Sequence, residues 1–214
     1  MTKIVRHRAR DQARETLRDM IVGGRLETGA RLDEIGLSQE IGASRTPVRE
    51  ALIALEEEGL VQSRPNHGFT VAALNERLVR ETYAILGALE AAAVEAGGDA
   101  LVAAAGRLAA FNEKLAREKR LSRCYELDRE FHRTLVEPCG NTRLLHLLQT
   151  HWNQARRIDG GKTRGMADRA GSCSEHAAIV SAIRFGNLED AAARLRGHWR
   201  DGTEIIIAWM RTHT

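Results

Sequence analysis

Four residues in the later part of the chain have the chemistry of metal ligands. Asp128 and His132 stand four apart in LDREFHRTL, so a helix would bring a carboxylate and an imidazole to one face. His176 follows in SEHAAIVSAI and His198 in RGHWR. Three imidazoles and one carboxylate suit Zn²⁺, Ni²⁺ or Mn²⁺ inside a helical bundle. The same arithmetic admits His146 and His151, and histidines that fill a core or face solvent are commoner than ligands. A metal-dependent hydrolase could use such a centre with a bound water. Its one obvious base, Glu175, adjoins His176 and is turned about 100° away on a helix.

A second constellation lies earlier. Ser44 reads as a helix N-cap, with Pro47 in the first turn, where its missing N–H costs little. Arg45 and Arg49 share the face opposite Val48, Leu52 and Leu55. A guanidinium can pair bidentately with guanine, for about 1–3 kcal/mol of discrimination. The hydroxyls of Ser44 and Thr46, with the free N–H groups of a helix start, suit phosphate oxygens. Two arginines on a helix are equally the mark of a solvated face, so the surrounding elements must decide.

Those elements follow from apolar period and punctuation. Ala13, Leu17, Met20 and Ile21 recur with helical spacing and stop at Gly23-Gly24. LETGARL reads as a turn, and a short helix from Asp33 to Ile41 ends at Gly42. The helix opened by Ser44 runs to about Glu58, and Gly59 ends it. Leu60–Ser63 and Phe69–Val71 flank the turn formers of RPNHG, a small β-hairpin with His67 and Gly68 at its tip. This order is that of a winged helix-turn-helix, whose second helix enters the major groove. From about residue 75, six helical segments read 75–97, 99–119, 122–137, 141–158, 167–185 and 188–211. The expected fold is mainly α: a winged helix-turn-helix over residues 1–74 and an all-α bundle over 75–214.

Bulk composition bounds the function. The chain has 214 residues, a formal charge of +3 and three cysteines, Cys124, Cys139 and Cys173, without CxxC spacing. The charge is too small to argue for nucleic acid by itself, although residues 1–25 hold seven basic groups against three acidic ones. An odd set of thiols suits a reducing compartment. No apolar run reaches the roughly 18 residues of a membrane span, and MTKIVRHRARDQ has no apolar core of a secretory signal. A cytoplasmic, nucleoid-associated location is expected, with no membrane partner.

SRTPVREALIALEEEGLVQSRPNHGFTV, preceded by IVGGRLETGARLDE, resembles the DNA-binding domain of the GntR family over about residues 10–72. The resemblance implies operator contacts by Arg45, Thr46 and Arg49, with wing contacts by His67 and Gly68. Many relatives carry an Arg contacting DNA where this chain has Ile35, so operator preference is expected to differ. Further on, D-x-x-x-H, EPCGNTRLL and SEHAAIVSAIRFGNLEDAAARLRGH resemble the FCD effector domain of the FadR-type GntR subfamily over about residues 77–211. That likeness implies one divalent ion (Zn, Ni or Mn) on Asp128, His132, His176 and His198, beside a small carboxylate effector. Arg156, Arg157 or Arg194 could clamp such an acid, or serve as surface ion-pair residues; Trp152 and Trp199 could line its pocket, or pack a core. The expected protein is a non-enzymatic, ligand-responsive regulator, a repressor acting on double-stranded operator DNA as a homodimer. The alternatives are the same regulator with a metal-free pocket, and the hydrolase.

Overall fold

The computed structural model describes residues 2–64, 68–160 and 169–213. Among them are nine α-helices and one three-stranded sheet, and the chain divides into two units. One is Met1–Asn75 with Asn153–Gly161; the other is Glu76–Trp152 with Lys162–Thr214.

The first unit is built on α1 (Thr2–Val22), α2 (Glu34–Glu40) and α3 (Arg45–Glu57). Ala13, Leu17, Met20 and Ile21 bury one stripe of α1 in the same core as Val48, Ala51, Leu52 and Leu55 of α3. Leu60, Val61, Phe69 and Val71 close this core from the sheet side. The helix α1 starts before Ala9, the first residue with a readable period.

At the end of α3, Gly59 takes φ 71°, a left-handed value natural to glycine. The Leu60 N–H then reaches the Leu55 carbonyl at 2.9 Å, and the Gly59 N–H reaches that of Glu56 at 2.9 Å. The Glu58 carboxylate receives Arg18 through two bonds of 2.9 and 2.6 Å, a bidentate pair. The Gln154 side-chain amide donates to the Glu58 carbonyl at 2.7 Å.

The wing is larger than the hairpin expected. The strands β2 (Val61–Arg64) and β3 (Gly68–Val71) pair antiparallel, with Ser63 opposite Phe69 and Arg64 opposite Gly68. β1 (Arg31–Leu32) joins the other edge of β3, setting Leu32 opposite Phe69, so the end of LETGARL is strand rather than turn. Two residues carry no alternation to read; pairing with β3 makes them a strand. Asp33 then caps α2, its carboxylate accepting from the N–H groups of Ile35 and Gly36 at 3.1 and 3.0 Å. Asp33→Ala is expected to cost about 1 kcal/mol, read as a lowered midpoint in urea unfolding of the full chain.

The second unit is helical: α4 (Glu76–Ala96), α5 (Gly98–Arg117), α6 (Leu121–Val136), α7 (Thr142–Gly160), α8 (Arg169–Arg184) and α9 (Leu188–His213). The last residues of α7 cluster with the first unit. A 3-10 turn, Glu137–Cys139, holds Pro138 where a helix could not continue. Asn141 and Asn187 start α7 and α9, their side-chain oxygens each accepting a backbone N–H three residues on, at 3.1 Å. Burial follows the helical period, through Leu127, Phe131 and Leu135 on α6, Ile179 and Ile183 on α8, and Leu195 and Ile206 on α9. No helix among the described residues is long and apolar enough to cross a membrane.

Candidate functional site

Two sites emerge, one in each unit. In the first, Ser44 has extended backbone (φ −77°, ψ 163°) as an N-cap should, but its hydroxyl makes no capping bond. Ser44, Arg45, Thr46 and Arg49 are all exposed at the start of α3, while Pro47 and Val48 turn inward. The Arg49 guanidinium lies 3.1 Å from the Glu34 carboxylate and 5.9 Å from the centre of the Phe69 ring. Ile35 is 49% exposed on α2. Gly68 opens β3 with φ 74°, a value that suits a tight wing turn. His67 lies outside the described residues.

The second site gathers His132, His176 and His198, whose ligating atoms all lie within 4.8 Å of one another. The Asp128 carboxylate approaches two of them, 4.0 Å from His132 Nε2 and 3.9 Å from His176 Nε2. Helix register explains the convergence: Phe131 anchors α6 in the core, with Asp128 and His132 on either side of it in sequence. The Phe131 ring stacks on that of His176 with centroids 3.9 Å apart. Leu195 anchors α9 one turn before His198. His146 is exposed, and neither it nor His151 joins the cluster.

The electrostatics favour a neutral imidazole at His176. His176 is fully buried, and its pKa falls well below the usual histidine value, first through desolvation and then through His198 and His132. Both of its ring nitrogens are buried without a hydrogen-bond partner. Leaving such groups unmade costs about 1–3 kcal/mol, so an orphaned imidazole in a core is a feature to be explained. A lone pair facing two other imidazoles and a carboxylate fits a divalent cation, which neutral nitrogens and an ionised carboxylate would hold.

Two carboxylates stand behind the histidines, of which sequence reasoning missed Glu90 and read Glu175 in another role. Glu90 of α4, fully buried, lies 2.8 Å from His132 Nδ1. Glu175 lies 2.6 Å from His198 Nδ1, so the one residue considered as a hydrolytic base is engaged behind a histidine. Trp152 and Trp199 both donate their indole N–H to Glu90, at 2.7 and 2.8 Å. On its other side Trp199 lines a groove of about 390 Å³ with Arg80, Tyr83 and Gly87. Of the three candidate clamps, Arg194 pairs with Asp190 at 2.7 Å and Arg156 with Asp19 at 3.9 Å. Arg157 is buried, its guanidinium has no hydrogen-bond partner, and desolvation lowers its pKa to about 10.

Both parts of the chain match known families. Residues 9–71 match the pattern of bacterial regulatory proteins of the gntR family, and residues 81–201 match the FCD domain. An HTH-type transcriptional regulator of Bacillus subtilis, YdhC, is 31% identical over 89% of this chain and 87% of its own length. A probable D-xylose utilization operon transcriptional repressor of Paenarthrobacter nicotinovorans is 31% identical over 92% of this chain and 88% of its own. The crystal structure of a GntR transcriptional regulator from Rhodococcus sp. RHA1 superposes with a TM-score of 0.74 at 28% identity, covering 93% of this chain and 97% of that one.

Proposed function

The chain belongs to the GntR family of bacterial regulatory proteins and carries an FCD domain, and from that premise we propose a metal-dependent, acid-responsive operator-binding regulator. In this reading residues 1–74 bind DNA, and residues 75–214 bind the effector and pair two copies of the chain in the cytoplasm. The observation that carries the metal is His176, a buried imidazole with both nitrogens orphaned at the meeting point of His132, His198 and Asp128.

Arg45, Thr46 and Arg49 read base edges from the start of α3, Ser44 meets a phosphate, and the wing contacts the duplex through His67 and Gly68. Support comes from the exposure of Ser44, Arg45, Thr46 and Arg49 opposite a buried apolar face. A homodimer matches two half-sites of a pseudo-palindromic operator, because a two-fold axis in the protein requires one in the DNA. Asp128, His132, His176 and His198 hold Zn²⁺, Ni²⁺ or Mn²⁺. The ion would supply a positive charge to attract a small carboxylate. Binding of that acid shifts the population between arrangements of the dimer that hold DNA and arrangements that do not, by as much as its affinities for the two differ. Repression is the favoured sense: the occupied operator blocks transcription and the acid relieves it.

The test is a titration of metal-loaded protein with duplex from upstream of its own gene and with random duplex, at fixed moderate salt. Tighter binding to the upstream duplex, weakened by one member of a panel of small carboxylates, is expected. Equal affinity for both duplexes overturns the operator reading. Absence of bound metal after loading and dialysis overturns the metal reading.

A further inference from the structure

We infer that Glu90 is a positioning residue for the metal centre: its carboxylate fixes the His132 ring so that Nδ1 carries the proton and Nε2 presents a lone pair to the ion. The inference rests on the metal reading above and assigns a role to a residue outside the four ligands.

Three helices converge on this one carboxylate. Glu90 Oε2 lies 2.8 Å from His132 Nδ1 on α6 and 2.8 Å from Trp199 Nε1 on α9. Glu90 Oε1 lies 2.7 Å from Trp152 Nε1 on α7. An indole nitrogen only donates, so both tryptophans require an acceptor from Glu90. A carboxylate offers acceptors alone, so its partner atom on His132 is the donor, which places the ring proton on Nδ1. The lone pair then belongs to Nε2, the nitrogen 4.0 Å from the Asp128 carboxylate.

Burial makes the arrangement stiff. Glu90 is 0% exposed, His132 4% and Trp199 9%, so water cannot replace a lost bond. An ionised carboxylate at such depth is costly unless hydrogen-bonded and offset by positive charge. Two indole dipoles and an imidazole N–H supply the bonds; a cation on the far side of that imidazole supplies the charge. A carboxylate hydrogen-bonded to the remote nitrogen of a ligand histidine also makes the ligand more basic and holds its ring plane. The second carboxylate, Glu175, makes the equivalent bond to His198 but is 36% exposed. Solvent screens it more, and Glu90 is the stronger determinant.

The experiment compares wild type, Glu90→Gln, Glu90→Asp and Trp152→Phe in the full chain, each checked for folding by circular dichroism. Zn²⁺ affinity is read by competition with a chromophoric chelator, and the His132 tautomer by ¹⁵N NMR of the metal-free protein. Glu90→Gln is expected to weaken Zn²⁺ binding about 10–100-fold. It should also release the His132 proton from Nδ1, because an amide offers one oxygen where three donors compete. Glu90→Asp restores part of the affinity, since the charge remains. Trp152→Phe leaves His132 Nδ1 bonded and has the smaller effect. A folded Glu90→Gln protein with wild-type affinity overturns the inference while leaving the metal reading intact. A wild type that binds no Zn²⁺, Ni²⁺ or Mn²⁺ overturns both. Should Glu90→Gln fail to fold, the wild-type tautomer decides, and a proton on Nε2 refutes the assignment.

Discussion

Replacing Arg45 and Arg49 together by alanine is expected to abolish selective operator binding while leaving the fold intact. Each guanidinium–guanine pair contributes about 1–3 kcal/mol of discrimination, so the pair contributes about 2–6 kcal/mol, or about 30-fold to 10⁴-fold in affinity ratio. Both side chains are exposed, and the buried face of α3 consists of Pro47, Val48, Ala51, Leu52 and Leu55. Thermal unfolding should therefore barely move. The measurement is fluorescence anisotropy of labelled upstream duplex with random duplex as competitor, at one salt concentration. Random-duplex affinity will fall as well, since two charges are lost, and the ratio of the two affinities is the informative quantity. A ratio equal to wild type in a folded protein would remove α3 from the role of reading element.

The second large effect concerns the ion. Asp128→Ala is expected to reduce bound metal from about one per chain to a small fraction, weakening affinity beyond the 10–100-fold typical of residues behind the ligands. Asp128 suits this test because its side chain is 34% exposed, so truncation leaves no sealed cavity. A ligand present at 100 times its dissociation constant stabilises the native state by about 2.7 kcal/mol. Added Zn²⁺ should therefore raise the unfolding midpoint of wild type and leave that of the variant unchanged. Adding His132→Ala deepens the loss, but it also strips Glu90 of a donor in the core, so the double variant alone would confound binding with packing. Equal metal content in wild type and Asp128→Ala would end the assignment of this carboxylate.

Much of the helical unit was legible because a 3.6-residue apolar period and its glycine and asparagine stops are local signals. The ends of α4 to α9 fall within two residues of the segments read from the sequence. Asp128 and His132 were legible as a pair for the same reason, their spacing being one helical turn. His176 and His198 were not, since nothing local ties three helices to one point; only resemblance placed them beside Asp128. Glu90 was illegible for a different reason. In YAILGALEAAA nothing local marks the single glutamate, and its partners are indoles 62 and 109 residues away. Arg157 escaped likewise: read as a clamp or a surface ion-pair residue, it lies in a core without a hydrogen-bonding partner. The strand β1 was missed because two residues have no period, and β3 supplies the reason they extend.

The contact between Glu34 and Arg49 bears on how such a protein would search a genome. A guanidinium with one nitrogen engaged by a carboxylate gains less from an arbitrary phosphate, and that carboxylate repels the sugar–phosphate chain near it. Only a base edge offering two acceptors in the right plane competes well enough to draw the arginine away. Glu34 would thus shorten the time spent on wrong stretches of duplex.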